Sequence, residues 1–259
     1  MSDGQGNTLE ETYSVERTKW DSLAREKVDV SKIQMEYTDF DDYAHRLAIM
    51  AGVVEFLGPL QGKQVLEIGC GLGKVSVLLA KSGANVTAFD LSAGSVDVAS
   101  QLARYHKVDE QVHLAVAAGE ILPFPDEGFD IIFGKGILHH LNAQLGASEL
   151  YRVLKTGGKA AFVEPMGMNP VLNVVRDHVP YKHKNPRGAD IPLSYTDIRN
   201  WTAGFKTAEY HELQLFSMLE RGLGFKHPLP ALRRLDKVAL KHLPFLRRYC
   251  RYVGIFLTK

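Results

Sequence analysis

The chain has 259 residues, 45% hydrophobic and 24% charged, with a formal net charge of +1 at pH 7. That length predicts one domain with decorations and a core large enough to need no covalent staples, and the near-neutral balance gives no field aimed at nucleic acid or an acidic partner. Two cysteines, Cys70 and Cys250, form neither a disulfide framework nor a zinc spacing, and no apolar run approaches the roughly 18–20 residues of a membrane span.

Met1 to about Thr12 is polar and reads as a disordered start without an apolar signal region, so a reducing, cytoplasmic location is expected. Tyr13 to Val30 reads as partly helical. Asp39 is placed to cap a helix from Phe40 to about Leu57, stopped by Gly58-Pro59. An alternating rhythm follows. Strands are predicted over Val65–Ile68, Val86–Phe89, Val112–Val116, Phe129–Phe133 and Lys159–Val163. Helices are predicted over Lys74–Lys81, from Ser92 to about His106, and from about Leu141 to Leu154, the last broken by Thr156-Gly157-Gly158. Such alternation predicts an α/β fold, a mainly parallel sheet with helices on both faces. The end differs: a Pro-, His- and Lys-rich stretch from Pro165 to Pro192, a helix over Tyr195–Ala203, a strand over Glu209–Phe216, a basic helix around Leu229–His242 and a last strand over Tyr252–Leu257. Two late strands would make the sheet mixed.

The chemistry-bearing signal is the turn Glu67-Ile68-Gly69-Cys70-Gly71-Leu72-Gly73, where a strand runs into a helix. Such a turn offers backbone N–H groups and a positive helix end to a ligand. By itself it is also a common strand–helix connection. A dinucleotide fingerprint needs a glycine where Lys74 stands, and the P-loop pattern is missing, so a nucleoside without a pyrophosphate fits better. Asp90 ends the next strand at the same edge of the sheet, where its carboxylate can accept from both hydroxyls of a ribose. Its plainer role would be to cap the following helix, a task for which Ser92 competes.

These residues resemble motifs I and II of the class I S-adenosylmethionine-dependent methyltransferases. The resemblance continues through Leu122-Pro123-Phe124-Pro125-Asp126 to Phe129-Asp130, through Leu138-His139-His140-Leu141, and through Arg152-Val153-Leu154-Lys155-Thr156-Gly157-Gly158, with Thr156 in a proline position. It spans roughly Gln61 to Pro165 and is nearest the branch acting on small molecules. It implies a Rossmann-like fold with a seven-stranded, mostly parallel sheet, and S-adenosylmethionine as cofactor without a metal. It implies Glu67 and Gly69 near the methionine amino group, Cys70, Gly71 and Gly73 in the turn, Asp90 on the ribose, Leu91 on the adenine and Lys135 facing the cofactor. Relatives often carry an Asp at the position of Ala118; here Gly119 or Glu120 would have to substitute.

Methyl transfer needs alignment, and for a hydroxyl acceptor a base. His139, His140 and Glu164 sit at the carboxyl edge and are the candidates; either histidine could equally satisfy the core, and Glu164 could cap its own turn. Residues 1–60 and an insertion at about 165–195 are expected to close over the acceptor. Candidate lining residues are Tyr13, Trp20, Tyr37 and Tyr43 on one side and Met166, Met168, Asn169, Arg176, His178, Tyr181, His183 and Arg187 on the other. Lys182 and Lys184 could meet an anion or simply be solvated. The expected reaction is O-methylation of a small organic molecule. N- or C-methylation, methylation of RNA or protein, and cofactor binding without catalysis stay open. No nucleic-acid partner is expected; the basic helix could touch anionic lipid weakly, or pack with a wet basic face.

Overall fold

The computed structural model describes residues 9–25, 28–178, 191–222, 225 and 229–259. In chain order its elements are α1 (Leu9–Arg25), α2 (Phe40–Arg46), α3 (Val53–Leu57), β1 (Gln64–Ile68), α4 (Lys74–Lys81), β2 (Asn85–Asp90), α5 (Ala93–Tyr105), β3 (Val112–Val116) and β4 (Phe129–Lys135). Then follow α6 (Ala143–Val153), β5 (Leu154–Pro165), α7 (Pro170–His178), α8 (Tyr195–Thr202), β6 (Thr207–Leu213), α9 (Met218–Gly222), α10 (Pro230–His242) and β7 (Tyr252–Thr258).

The strands form one seven-stranded sheet in the order β3-β2-β1-β4-β5-β7-β6. Neighbours are parallel from β3 to β5, and β7 runs antiparallel to both β5 and β6. Alternation along each strand divides the core between two faces. Val65, Ile131, Phe133 and Phe256 pack with Phe40, Met50 and Val53 from the N-terminal helices on one face. Leu66, Ile68, Ile132 and Phe162 pack with Leu150 and Trp201 from α6 and α8 on the other.

Several boundaries differ from the sequence reading for local reasons. Leu9–Thr12 are helical rather than disordered, since α1 lies along α5. The single helix expected over Phe40–Leu57 is broken: Asp39 does cap α2 by accepting from Asp42 N, but Leu47 is extended and Gly52 has φ 85°. Those two conformations bend the chain so that α2 and α3 each bury a face. Leu141 is not helical, because Asn142 is the cap of α6, accepting from Gln144 and Leu145 N–H. Gly157-Gly158 does not break a helix but lies inside β5, where pairing shifts between Phe129↔Leu154 and Ile131↔Lys159. The Pro-, His- and Lys-rich stretch after β5, for which no element is predicted, contains α7; Asn169 Oδ1 accepts from Val171 and Leu172 N–H, and Pro170 takes the first helical position, where no N–H is needed.

Candidate functional site

Strand order reverses direction between β1 and β4, and in open α/β sheets that crevice at the carboxyl ends is where ligands bind. A cavity of about 200 Å³ lies there. Its walls come from the turn after β1 (Gly69, Gly71), the end of β2 (Phe89, Asp90, Leu91), the loop after β3 (Ala117–Glu120), the end of β4 (Lys135–Ile137), His140, Leu141 and α1.

The glycine turn is shaped by its neighbours. Gly73 has φ 79°, and a Cβ there would lie 2.8 Å from the Ala99 backbone, so glycine lets α4 and α5 approach. Gly71 has φ 51° and a Cβ on it would meet nothing within 4 Å. Its freedom therefore serves the turn's conformation, and its surface is open to the cavity. Asp90 braces this arrangement: one carboxylate oxygen accepts from Gly71 N–H at 2.9 Å and the other from Ser92 N–H at 3.0 Å. Ser92, not Asp90, caps α5, accepting from Ser95 N–H. Burial pushes the Asp90 carboxyl above its ordinary range, and the backbone amides of Ser92, Gly71 and Leu91 oppose that rise. A carboxylate offers about four acceptor positions, so Asp90 retains acceptor capacity toward the cavity.

Glu67, Cys70 and Gly73 do not reach the cavity wall. Glu67 lies buried beneath the turn, accepting from the Ser76 hydroxyl. Burial pushes its carboxyl up to about 8, against the pull of Ser76 and the Lys135 charge. Cys70 is buried in the core on the α2 face, and burial raises its thiol well above the ordinary range. Lys135 lines the cavity, its ammonium 6.0 Å from the Tyr43 ring.

Across the cavity, Ala118, Gly119 and Glu120 are all on the wall, with Ala117 N–H donating to Asp90 O. Glu120 is committed: Oε1 accepts from Asn142 N–H and Oε2 from the Tyr13 hydroxyl, both at 2.8 Å. Of the two substitutes considered for the missing Asp, the Gly119 backbone is the one without such a side-chain commitment.

The histidine pair splits. His139 Nδ1 lies 2.7 Å from Glu164 Oε2, and Glu164 Oε1 accepts from Ile137 and Leu138 N–H. Glu164 is fully buried and off the cavity wall, so it holds the turn after β4 rather than facing a ligand. His140 does line the cavity, its ring tilted over His139 with centroids 4.1 Å apart. Its Nδ1 stands 3.5 Å from Glu16 Oε1.

Glu16 belongs to α1, which forms the outer wall, and it was not among the residues singled out from sequence. Tyr13, Glu16 and Trp20 share one helix face and all line the cavity. That spacing was the available signal. Trp20 Nε1 donates to Glu16 Oε2 at 2.7 Å. Burial opposes ionisation of Glu16, but His140, Lys19 and the Trp20 indole outweigh it and hold the carboxyl low. Further along α1, Asp21 Oδ1 accepts from Ser92 Oγ at 2.6 Å and Gly94 N–H at 3.1 Å.

The other expected covering segment contributes less. Met166 is buried in the core, Asn169 caps α7 and donates to Tyr249 O, and Arg176 donates to Met166 O. None of these, nor Met168 or His178, lines the cavity, and Tyr37 and Tyr43 pack with the α2 core. Tyr181, Lys182, His183, Lys184 and Arg187 lie outside the described residues. Among the described residues no group of three or more His, Cys, Asp or Glu could hold a metal ion, and no helix is long and apolar enough to cross a membrane.

Comparison with known proteins agrees with this geometry. Residues 66–162 match a family model described as a methyltransferase domain. A malonyl-[acyl-carrier protein] O-methyltransferase of Serratia marcescens is 36% identical over 185 residues, covering 70% of this chain and 66% of that one. A demethylmenaquinone methyltransferase of Clavibacter sepedonicus is 35% identical over 109 residues, 42% of this chain and 43% of that one. In these matches the chain spans less than two thirds of the relatives' length. Among solved structures, the fold resembles geranyl diphosphate C-methyltransferase of Streptomyces coelicolor, bound to S-adenosyl-L-homocysteine, with a TM-score of 0.67, 16% identity and 97% and 99% of the two chains covered. It also resembles the [4+2]-cyclase SpnF, with a TM-score of 0.63, 18% identity and 96% of each chain covered. Residues 66–162 are a methyltransferase domain, and the seven-stranded sheet that contains them has the fold of the class I S-adenosylmethionine-dependent methyltransferases.

Proposed function

We propose that the protein transfers a methyl group from S-adenosylmethionine to a hydroxyl of a small organic acceptor, with His140 receiving the acceptor's proton. The observation carrying this reading is that His140 reaches the cavity at the switch point while its neighbour His139 is taken by Glu164. When bound, the cofactor supplies an activated methyl group, so the chain's task is alignment more than activation. Asp90 accepts from the ribose hydroxyls. Leu91 and Phe89 pack against the base, and the backbone at Ala118–Gly119 meets its edge. The Gly69–Gly71 backbone, with Lys135 beside it, borders the amino-acid end, and Glu67 acts on that end from behind the turn. Glu16 holds one nitrogen of His140, which leaves the other for the acceptor. His139 and Glu164 keep the His140 backbone in place.

Calorimetric titration with S-adenosylhomocysteine, followed by methyl transfer from labelled cofactor to a panel of phenols, carboxylic acids and amines, tests the proposal. Binding with transfer to hydroxyl acceptors is expected. Failure to bind the product would discard the reading; transfer only to nitrogen or carbon would discard the O-methylation. The likeness to a cyclase supports a second reading, a retained cofactor site with no methyl transfer, and binding without turnover on any class would favour it. No part of the cavity suggests a nucleic acid.

A further inference from the structure

A larger cavity, of about 510 Å³, lies apart from the one just described, between α2, α3, the end of β6 and α10. That volume falls within the range of roughly 300–1,000 Å³ typical of small-molecule sites. Its edge strand β6 stands three strands from β4, about 14 Å along the sheet at about 4.8 Å per strand. Helix α2 separates the two: Tyr43 turns toward Lys135, while Ala44 and His45 line the larger cavity.

One half of this cavity is apolar, with Leu47, Met50, Val54, Leu213 and Leu240 on its wall. The other half is charged, and its carboxylates are mostly committed within the chain. Asp236 accepts from Phe216 N–H, Ser217 N–H and the Ser217 hydroxyl. Glu212 accepts from the Tyr195 hydroxyl at 2.8 Å, and Glu55 stands 3.9 Å from His45. The cations are less engaged. Among the described residues Arg233 forms one ion pair, a long one to Glu220 at 3.8 Å, and its side chain lines the cavity. Lys237, one helical turn on, also lines the cavity, and no ion pair engages it among the described residues. Two cations one turn apart on one wall offer charge-assisted hydrogen bonds to an anion in the cavity. At the β6 end of the same wall Gln214 holds φ 61°, which turns the chain at the edge of the cavity.

We propose that this cavity is a second small-molecule site, which takes an amphipathic anion with its acidic group on Arg233 and Lys237 and its apolar body against Met50, Val54 and Leu240. The assignment rests on this lining and stands or falls apart from methyl transfer. It also gives the basic face of α10 a partner other than lipid.

The test uses the full chain saturated with S-adenosylhomocysteine, which fills the first cavity, and 8-anilinonaphthalene-1-sulfonate as a fluorescent amphipathic anion. Decanoate should displace the probe and decanol should not. R233Q with K237Q should weaken decanoate by roughly ten- to a hundred-fold, the range for losing hydrogen bonds to a charged group. L240W should block the probe with both cations in place, which separates loss of the cavity from loss of the charge. Equal competition by acid and alcohol, or unchanged decanoate affinity in a folded double variant, would overturn the proposal. If S-adenosylhomocysteine fails to bind, the same titrations on the chain alone still decide it, with L240W reporting which cavity holds the probe.

Discussion

Glu67 offers a measurement of how the glycine turn is built. Its carboxyl is buried beneath the turn and titrates near 8 in the folded chain against an ordinary 4.5. The folded state therefore holds a proton that the unfolded state releases at lower pH. For a carboxyl whose folded value is raised, this contribution to stability is fully present below the unfolded value and is lost as pH rises through the folded one. Between pH 5 and 7 the difference integrates to about 2–3 kcal/mol at 1.36 kcal/mol per unit. Glu67→Gln keeps the hydrogen-bonding shape and removes the titration. Urea unfolding of both proteins across pH 5–8 should show the wild type losing stability relative to the variant as pH rises, by about that amount. Parallel curves would refute the reasoning, since they would mean that Glu67 titrates alike in both states. The bound amino group of a methionine moiety would favour the ionised form. Calorimetry in buffers of different ionisation enthalpy should then show proton release on cofactor binding near pH 7, reduced in the variant.

The other residues make separable predictions. Asp90→Ala should weaken S-adenosylhomocysteine by roughly ten- to a hundred-fold, because it removes an acceptor and leaves Gly71 N–H unmatched; unchanged affinity in titration would remove Asp90 from the ribose. His140→Ala should lower kcat by roughly 10²–10⁴-fold with little change in Tm, whereas His139→Ala should cost about 1–3 kcal/mol of stability by stripping a partner from a buried carboxylate. If the two variants behave alike in both assays, the division of roles is wrong. Gly73→Ala should destabilise by about 1–3 kcal/mol, read by chemical denaturation, because its φ and its approach to Ala99 both reject a side chain.

What could be read from the chain was local. The βα rhythm, the caps at Asp39 and Ser92, and the glycine turn with Asp90 each lie within a few residues of the signal that announces them, and the structure contains all of them. What escaped was set by distance in sequence or by competition between local signals. Leu47 and Gly52 interrupt an apolar pattern that continues unbroken to Leu57, one by an extended backbone and the other by a left-handed one. Glu164 looks like a reactive carboxylate at a strand end, and only the fold supplies the two N–H groups and the imidazole that occupy it. The role of α1 was hardest to see, since the hydroxyl of Tyr13 meets a carboxylate 107 residues away.

That helix also walls one side of the cavity. Its three polar attachments, at Glu120, at His140 and at Ser92 with Gly94, span the cavity from the loop after β3 to the start of α5. At about 200 Å³ the cavity is below the roughly 300–1,000 Å³ of typical ligand sites. On the proposed reading, a motion of α1 that widened the cavity would also part Glu16 from the histidine it steadies. Cofactor exchange and the state of the proposed base would then be coupled, and Trp20, on that helix beside Glu16, would report the coupling by its fluorescence.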